Sequence, residues 1–168
     1  MWRDKPASFD LKGLLGGANR NAENPETSQK KRLARLRTTL VALTADPEDR
    51  KLLTDLAVEN GWEIHLTPNL EEAESAVDRL QAPVALCDRE LPGVDWRTVV
   101  RTLASSRHEP CVIVTGKRVD DYFWEEVIRN RGYDVLSKPL REYEVTRIVG
   151  LALSFWNSRT ASQRKFRK

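Results

Sequence analysis

From about residue 39 a short apolar run followed by an amphipathic stretch recurs five times, and this alternation leaves few architectures open to the chain. The runs are TLVALT (39–44), WEIHL (62–66), PVALC (83–87), CVIVT (111–115) and YDVLS (133–137). Three of them are nearly continuous in Val, Leu, Ile and Ala, as central parallel strands covered on both faces require. The stretches between them have helical spacing. PEDRKLLTDLAVENG starts with Asp46 as a cap and Pro47 in the first helical position, sets Leu52, Leu53 and Leu56 on one face, and stops at Asn60 and Gly61. NLEEAESAVDRLQA places Leu70, Ala73, Ala76, Val77 and Leu80 on a second face, and DWRTVVRTLASS, VDDYFWEEVIRNRG and REYEVTRIVGLALSFW supply three more helices. Five β-α units in this length predict a doubly wound α/β sandwich around a parallel sheet.

At 168 residues the chain suits one domain with tails rather than two hydrophobic cores. Its charge divides the same way. Residues 1–38 carry nine Lys/Arg and four Asp/Glu, and 157–168 carry five Lys/Arg and no acid, so the stretch 39–156 is left at a net −7 although the whole chain is +3. The expected organisation is a disordered or partly helical basic tail over 1–37, a domain over 38–156 and a basic tail over 157–168. Residues such as GGANRNAENPETSQ are too poor in large apolar side chains to repay ordering. SQKKRLARLR, with Leu33 and Leu36 three apart, extends a helix toward the domain, and SFDLKGLL reads as a chance apolar cluster or a docking motif. The acidic domain disfavours nucleic-acid or membrane binding by its own surface and leaves such contacts to the tails. No run approaches the roughly 18 apolar residues of a membrane span, and MWRDKPASFDLKGLLGG lacks an apolar region with a cleavage site, so a cytoplasmic protein is expected.

In a sheet of this kind function gathers outside the carboxyl ends of the strands. The residues there are Thr44 to Asp46, Asp88, Thr115 and Lys138. Taken singly, Asp88 suits a loop cap, Thr115 a strand end and Lys138 a surface position. Together they form a unit with chemical logic: a carboxylate can attack an activated phosphoryl group, while a hydroxyl and an ammonium hold the oxygens of the acyl phosphate. The first strand-to-helix turn, TADPED, is acidic and has no glycine. It would repel a phosphate, which argues against flavin binding and against a P-loop.

VALCDRELPGVDW, CVIVTG and DVLSKPL resemble the receiver domain of two-component response regulators, the family of the chemotaxis regulators, over about residues 38–156. The resemblance implies a flavodoxin-like (βα)5 sandwich with a five-stranded parallel sheet in the order 2-1-3-4-5. It implies Asp88 as phosphoacceptor from a histidine kinase or phosphotransfer protein, Thr115 as the phosphate-binding hydroxyl, Lys138 as the cation on the phosphate, and Pro139 in a cis peptide. Receivers normally end strand one with two acidic residues that bind Mg²⁺ together with the acceptor. Alignment on the following proline puts Thr44 and Ala45 in those places. Asp46, Asp88 and the backbone carbonyl of Glu90 are the donors left, a degenerate set expected to hold Mg²⁺ weakly. The family's switch aromatic in strand five is replaced by Val135; Tyr133, two residues earlier, is expected on the same face of the strand.

Two functions therefore stand side by side: a stand-alone receiver that is phosphorylated on Asp88 and signals by protein contact, or a pseudo-receiver that is never phosphorylated and serves as an interaction module. Neither is an enzyme, and the twelve residues after 156 are too few for an output domain. The downstream partner is unknown. Tyr122, Phe123 and Trp124 are consecutive and cannot all face inward on one helix, so the fourth helix with strand five offers a surface for a homodimer. Cys87 and Cys111 lie at opposite ends of neighbouring strands, beyond disulfide reach, and read as buried thiols; His65 and His108 have no metal-ligand spacing.

Overall fold

The computed structural model describes residues 24–26 and 38–166. The expectations for 1–23, 27–37 and 167–168, including the N-terminal helix, the SFDLKGLL motif and the tail's disorder, fall outside the described residues.

Five strands form one parallel sheet: β1 (Thr39–Leu43), β2 (Glu63–Thr67), β3 (Val84–Asp88), β4 (Cys111–Gly116) and β5 (Asp134–Ser137), in the order β2-β1-β3-β4-β5. The fold is the flavodoxin-like (βα)5 sandwich. Five helices alternate with the strands: α1 (Pro47–Asn60), α2 (Leu70–Leu80), α3 (Trp96–Ala104), α4 (Asp121–Arg129) and α5 (Glu142–Lys165). The first four begin at side-chain caps, of which the sequence reading names Asp46. Asp46, Asn69, Asp95 and Asp120 each accept a backbone N–H of the first turn. Helix α1 stops at Gly61, whose φ of 68° is open to glycine at little cost.

β1, β3 and β4 are the central strands, so their side chains are shielded on both faces and alternate between two cores. Val41, Leu43, Ala85, Cys87, Val112 and Val114 pack against α2, α3 and α4. Leu40, Ala42, Val84, Leu86 and Ile113 pack against α1 and α5. Full burial of one such side chain contributes about 1.5–3 kcal/mol, and this two-sided burial holds the strand ends in register.

Two local expectations are corrected. Tyr133 does not share a face with Val135: Val135 packs on the α2–α4 side, whereas Tyr133 packs on the α5 side, its ring centroid 5.5 Å from that of Phe155. Tyr133 precedes the strand, which begins at Asp134, so strand alternation does not govern its direction. The chain also does not leave the fold at 156. NSRTASQRK contains neither proline nor glycine, and α5 continues through it to Lys165. Trp156 Nε1 donates to the His108 carbonyl at 3.1 Å and Arg159 to that of Glu109, which ties this part of α5 to the α3–β4 loop. Among the described residues no helix is long and apolar enough to cross a membrane.

Cys87 and Cys111 are free and buried. Burial, aided by the neighbouring Asp88 charge, pushes the Cys87 thiol up to about 12; burial pushes Cys111 up to about 11. Because the thiolate is the reactive form, neither should react with an aromatic disulfide reagent at pH 8 in the native protein, and both should react in denaturant. A thiol titrating within seconds under native conditions would contradict this packing.

Candidate functional site

At the carboxyl end of the sheet, β3 and β4 pair Asp88 directly with Thr115. The pairing extends one residue further, since Arg89 N donates to Thr115 O at 2.8 Å. Lys138 follows β5 and is anchored to β4 by its own N–H, 2.9 Å from Gly116 O. The Lys138–Pro139 bond is cis, as the resemblance implies. Asp88, Thr115 and Lys138 thus come together because three adjacent strands end in register.

Asp88 is 6% exposed as a residue, and both its carboxylate oxygens are engaged. Oδ1 accepts the Glu90 backbone N–H at 3.0 Å, and Oδ2 accepts from Lys138 Nζ at 2.6 Å. Thr115 is buried beside it. The Glu90 side chain turns away to an ion pair with Lys117 at 3.7 Å.

Strand one ends without a carboxylate. Thr44 is buried and its Oγ1 accepts the Asp46 N–H at 3.2 Å; Ala45 is exposed. Asp46 divides its two oxygens between two tasks. Oδ1 caps α1 by accepting the Glu48 N–H at 2.9 Å, and Oδ2 lies 3.7 Å from Lys138 Nζ.

Sequence reasoning missed Asp49. It occupies the first turn of α1, is 6% exposed, and sets Oδ2 2.6 Å from Lys138 Nζ. This is a close ion contact outside hydrogen-bonding angles, so the oxygen has no hydrogen-bond partner. Burial raises the Asp49 carboxyl above its ordinary value; Lys138 pulls it back only in part, and the Asp46 and Asp88 charges add to the rise. Burial by itself would lower the Lys138 ammonium, but the close contacts and negative charges of Asp49 and Asp88 outweigh it and hold the group above its usual value. A signal was available in the sequence. Asp49 precedes Leu52, Leu53 and Leu56 by three, four and seven residues, which puts a charged group on the inward stripe of the helix, where one is seldom found unless it has a partner or a task.

Beside these residues a cavity of about 470 Å³ opens, lined by Asp46, Glu48, Asp49, Lys117, Lys138 and the apolar Leu52, Pro139 and Leu140. Among the described residues no three carboxylate, imidazole or thiol groups meet closely enough to enclose a metal as they stand. Lys138 Nζ occupies the point between Asp49 and Asp88. The donors are nonetheless of the type that a hard divalent cation takes. Asp46, Asp49 and Asp88 bring three negative charges to the single positive charge of Lys138, an imbalance that such a cation fits.

Comparison with known proteins places this geometry. The response regulator receiver domain family matches residues 44–150. A 3',5'-cyclic-nucleotide phosphodiesterase, regA, of Dictyostelium discoideum is 28% identical over 131 residues, which cover 73% of this chain and only 16% of that protein. The signal receiver domain of a LuxO repressor protein of Vibrio parahaemolyticus superposes with a TM-score of 0.68 at 15% identity, covering 75% of this chain and 97% of the other. The chemotaxis response regulator CheY4 of Vibrio cholerae superposes at 0.64 with 13% identity, covering 70% and 99%.

Proposed function

The chain belongs to the response regulator receiver domain family, and from that premise we propose that Asp88 accepts a phosphoryl group from a histidine kinase or phosphotransfer protein in a cytoplasmic signalling relay. The observation that carries this reading is the convergence of Asp88 with Lys138 at 2.6 Å and with Thr115 across the β3–β4 pair, Asp88 and Thr115 buried and the Lys138 side chain 6% exposed.

In the proposed step an Asp88 carboxylate oxygen attacks phosphorus as the bond from phosphorus to the donor's imidazole nitrogen breaks. The electron pair stays with the ring, and an acyl phosphate remains on Asp88. Lys138 screens the negative charge of the incoming group, and the Thr115 hydroxyl donates to a phosphoryl oxygen. The Glu90 N–H fixes the carboxylate against rotation before attack. Asp46, Asp88 and the backbone carbonyl of Glu90 are proposed as donors for Mg²⁺, which when bound neutralises charge on the phosphoryl oxygens. The module transmits by protein contact and turns over no substrate of its own. Tyr122 and Trp124 on α4 are exposed while Phe123 is buried, which supports α4 with β5 as the contact face, for a second copy or for a downstream protein.

A pseudo-receiver is the second reading, favoured by Thr44 and Ala45 at the end of strand one. The test is incubation of the protein with a small-molecule phosphodonor and Mg²⁺, followed by intact mass. An acid-stable, base-labile adduct of one phosphoryl group is expected on the wild type and absent from Asp88→Asn. A wild type without adduct, with tryptophan fluorescence unmoved by Mg²⁺, would transfer the assignment to the pseudo-receiver.

A further inference from the structure

The placement of Asp49 is unusual for a residue with only a structural task. The α1 cap is supplied by Asp46, and the buried neighbours on the inner side of α1 are Leu53, Leu56 and Ala57. A carboxylate in that position is desolvated, and its buried Oδ2 accepts no hydrogen bond. Its one charged contact, Lys138 Nζ, is shared with Asp88 at the same 2.6 Å. One ammonium thus serves two buried carboxylates with a third, Asp46, at 3.7 Å, and two negative charges are left in excess. The cavity walled by Asp46, Glu48, Asp49 and Lys138 gives this excess an opening to solvent.

We propose that Asp49 replaces, from the first turn of α1, the carboxylates that strand one lacks: it ligates a hard divalent cation together with Asp88 and Asp46, and Lys138 gives up Asp49 as the cation binds. Asp46 and Asp49 are three residues apart at a helix start, a spacing that brings side chains to one side. The cap leaves Asp46 Oδ2 free for the pocket. Once released from Asp49, the ammonium is left to Asp88 and to whatever Asp88 carries. The inference deepens the acceptor reading of Asp88 and rests on it.

The probe is Mn²⁺, an ion with the same preference as Mg²⁺ for octahedral oxygen donors, titrated into the full chain without phosphodonor while the free ion is read by electron paramagnetic resonance. Wild type should bind one Mn²⁺. Asp49→Asn should bind it about tenfold or more weakly, because even the outer partners of metal ligands are worth about 10- to 100-fold in affinity. Ala45→Asp added to Asp49→Asn returns a carboxylate to the end of strand one and should recover most of the loss. Lys138→Met removes the competing ammonium and should bind Mn²⁺ more tightly than wild type, with a melting temperature that rises on adding the ion; a gain of affinity cannot come from misfolding. Equal Mn²⁺ affinity in wild type and Asp49→Asn overturns the proposal, as does saturable binding by neither wild type nor Lys138→Met.

The adduct is scored separately. Mn²⁺ binding that depends on Asp49, with no phosphoryl adduct on Asp88, sinks the acceptor reading and leaves the cation site. An adduct formed alike by wild type and Asp49→Asn at equal Mn²⁺ affinity sinks the cation site and leaves the acceptor.

Discussion

Lys138→Met should lower the unfolding free energy by about 3–5 kcal/mol at neutral pH in metal-free buffer, the usual cost of removing one partner from a buried ion pair. The side chain is 6% exposed and meets two carboxylates that are each 8% exposed, so its loss strands two desolvated negative charges 2.6 Å from where their counterion stood. The pH dependence follows from the direction of the shift. The folded-state value of Lys138 lies above its ordinary 10.5, so its contribution is complete below that value and is lost only as pH rises through the folded one. Asp49 behaves in the opposite way. Its folded value is raised by burial, so its ionised form opposes folding, and that cost disappears as pH falls through the folded value. Asp49→Asn should accordingly leave stability unchanged or higher, which is the pattern of a residue kept for a task and not for the fold. Urea denaturation of the three proteins checks both signs. A Lys138→Met penalty under 1 kcal/mol would mean that the pocket is wet and the pairs behave as surface ones.

The second large effect is Phe123→Ala, expected to cost about 3–5 kcal/mol. Phe123 is 2% exposed, meets Trp96 edge to face at 5.2 Å, and lies under the Arg89 guanidinium at 4.2 Å. Arg89 is the residue after the acceptor and also donates to the Arg118 carbonyl at 3.2 Å. One aromatic ring therefore seats α4 on the sheet and steadies the start of the loop that follows Asp88. Phe123→Leu keeps most of the apolar volume but loses the ring face that attracts the guanidinium. It should recover much of the stability while Arg89 stays loosened, which side-chain NMR of the arginine would show. A small loss in Phe123→Ala would mean that α4 is held by other contacts.

Most of the architecture was legible in the sequence because both periods are strong in it. Buried central strands need near-continuous apolar runs, and all five were placed within about one residue of the observed strands. Asp46 marks the start of α1 for the same reason that it caps it. Asp88, Thr115 and Lys138 were recoverable because strand ends in one parallel sheet must align. The failures are local. Tyr133 was given the direction of a strand residue when it belongs to the turn before β5. The end of α5 was drawn where the large apolar residues stop, although helical continuation needs only the absence of a breaker and a few anchors such as Trp156 and Arg159. Asp49 is inconspicuous in the sequence because an acid in a first turn already has a ready reason in the helix dipole. Its inward direction emerges only when helical phase is counted from the buried leucines.

Asp46 gives the first turn of α1 a property that neither the cap nor the pocket has alone. One of its oxygens holds the Glu48 amide and the other faces the charged cluster, so a torque on the carboxylate from either side is felt on the other. The cap of α1 and the charge of the pocket therefore meet in one carboxylate. A charge that arrives at Asp88 or Lys138 thus acts on the same side chain that starts the helix, through Asp46 Oδ2 at 3.7 Å from Lys138 Nζ.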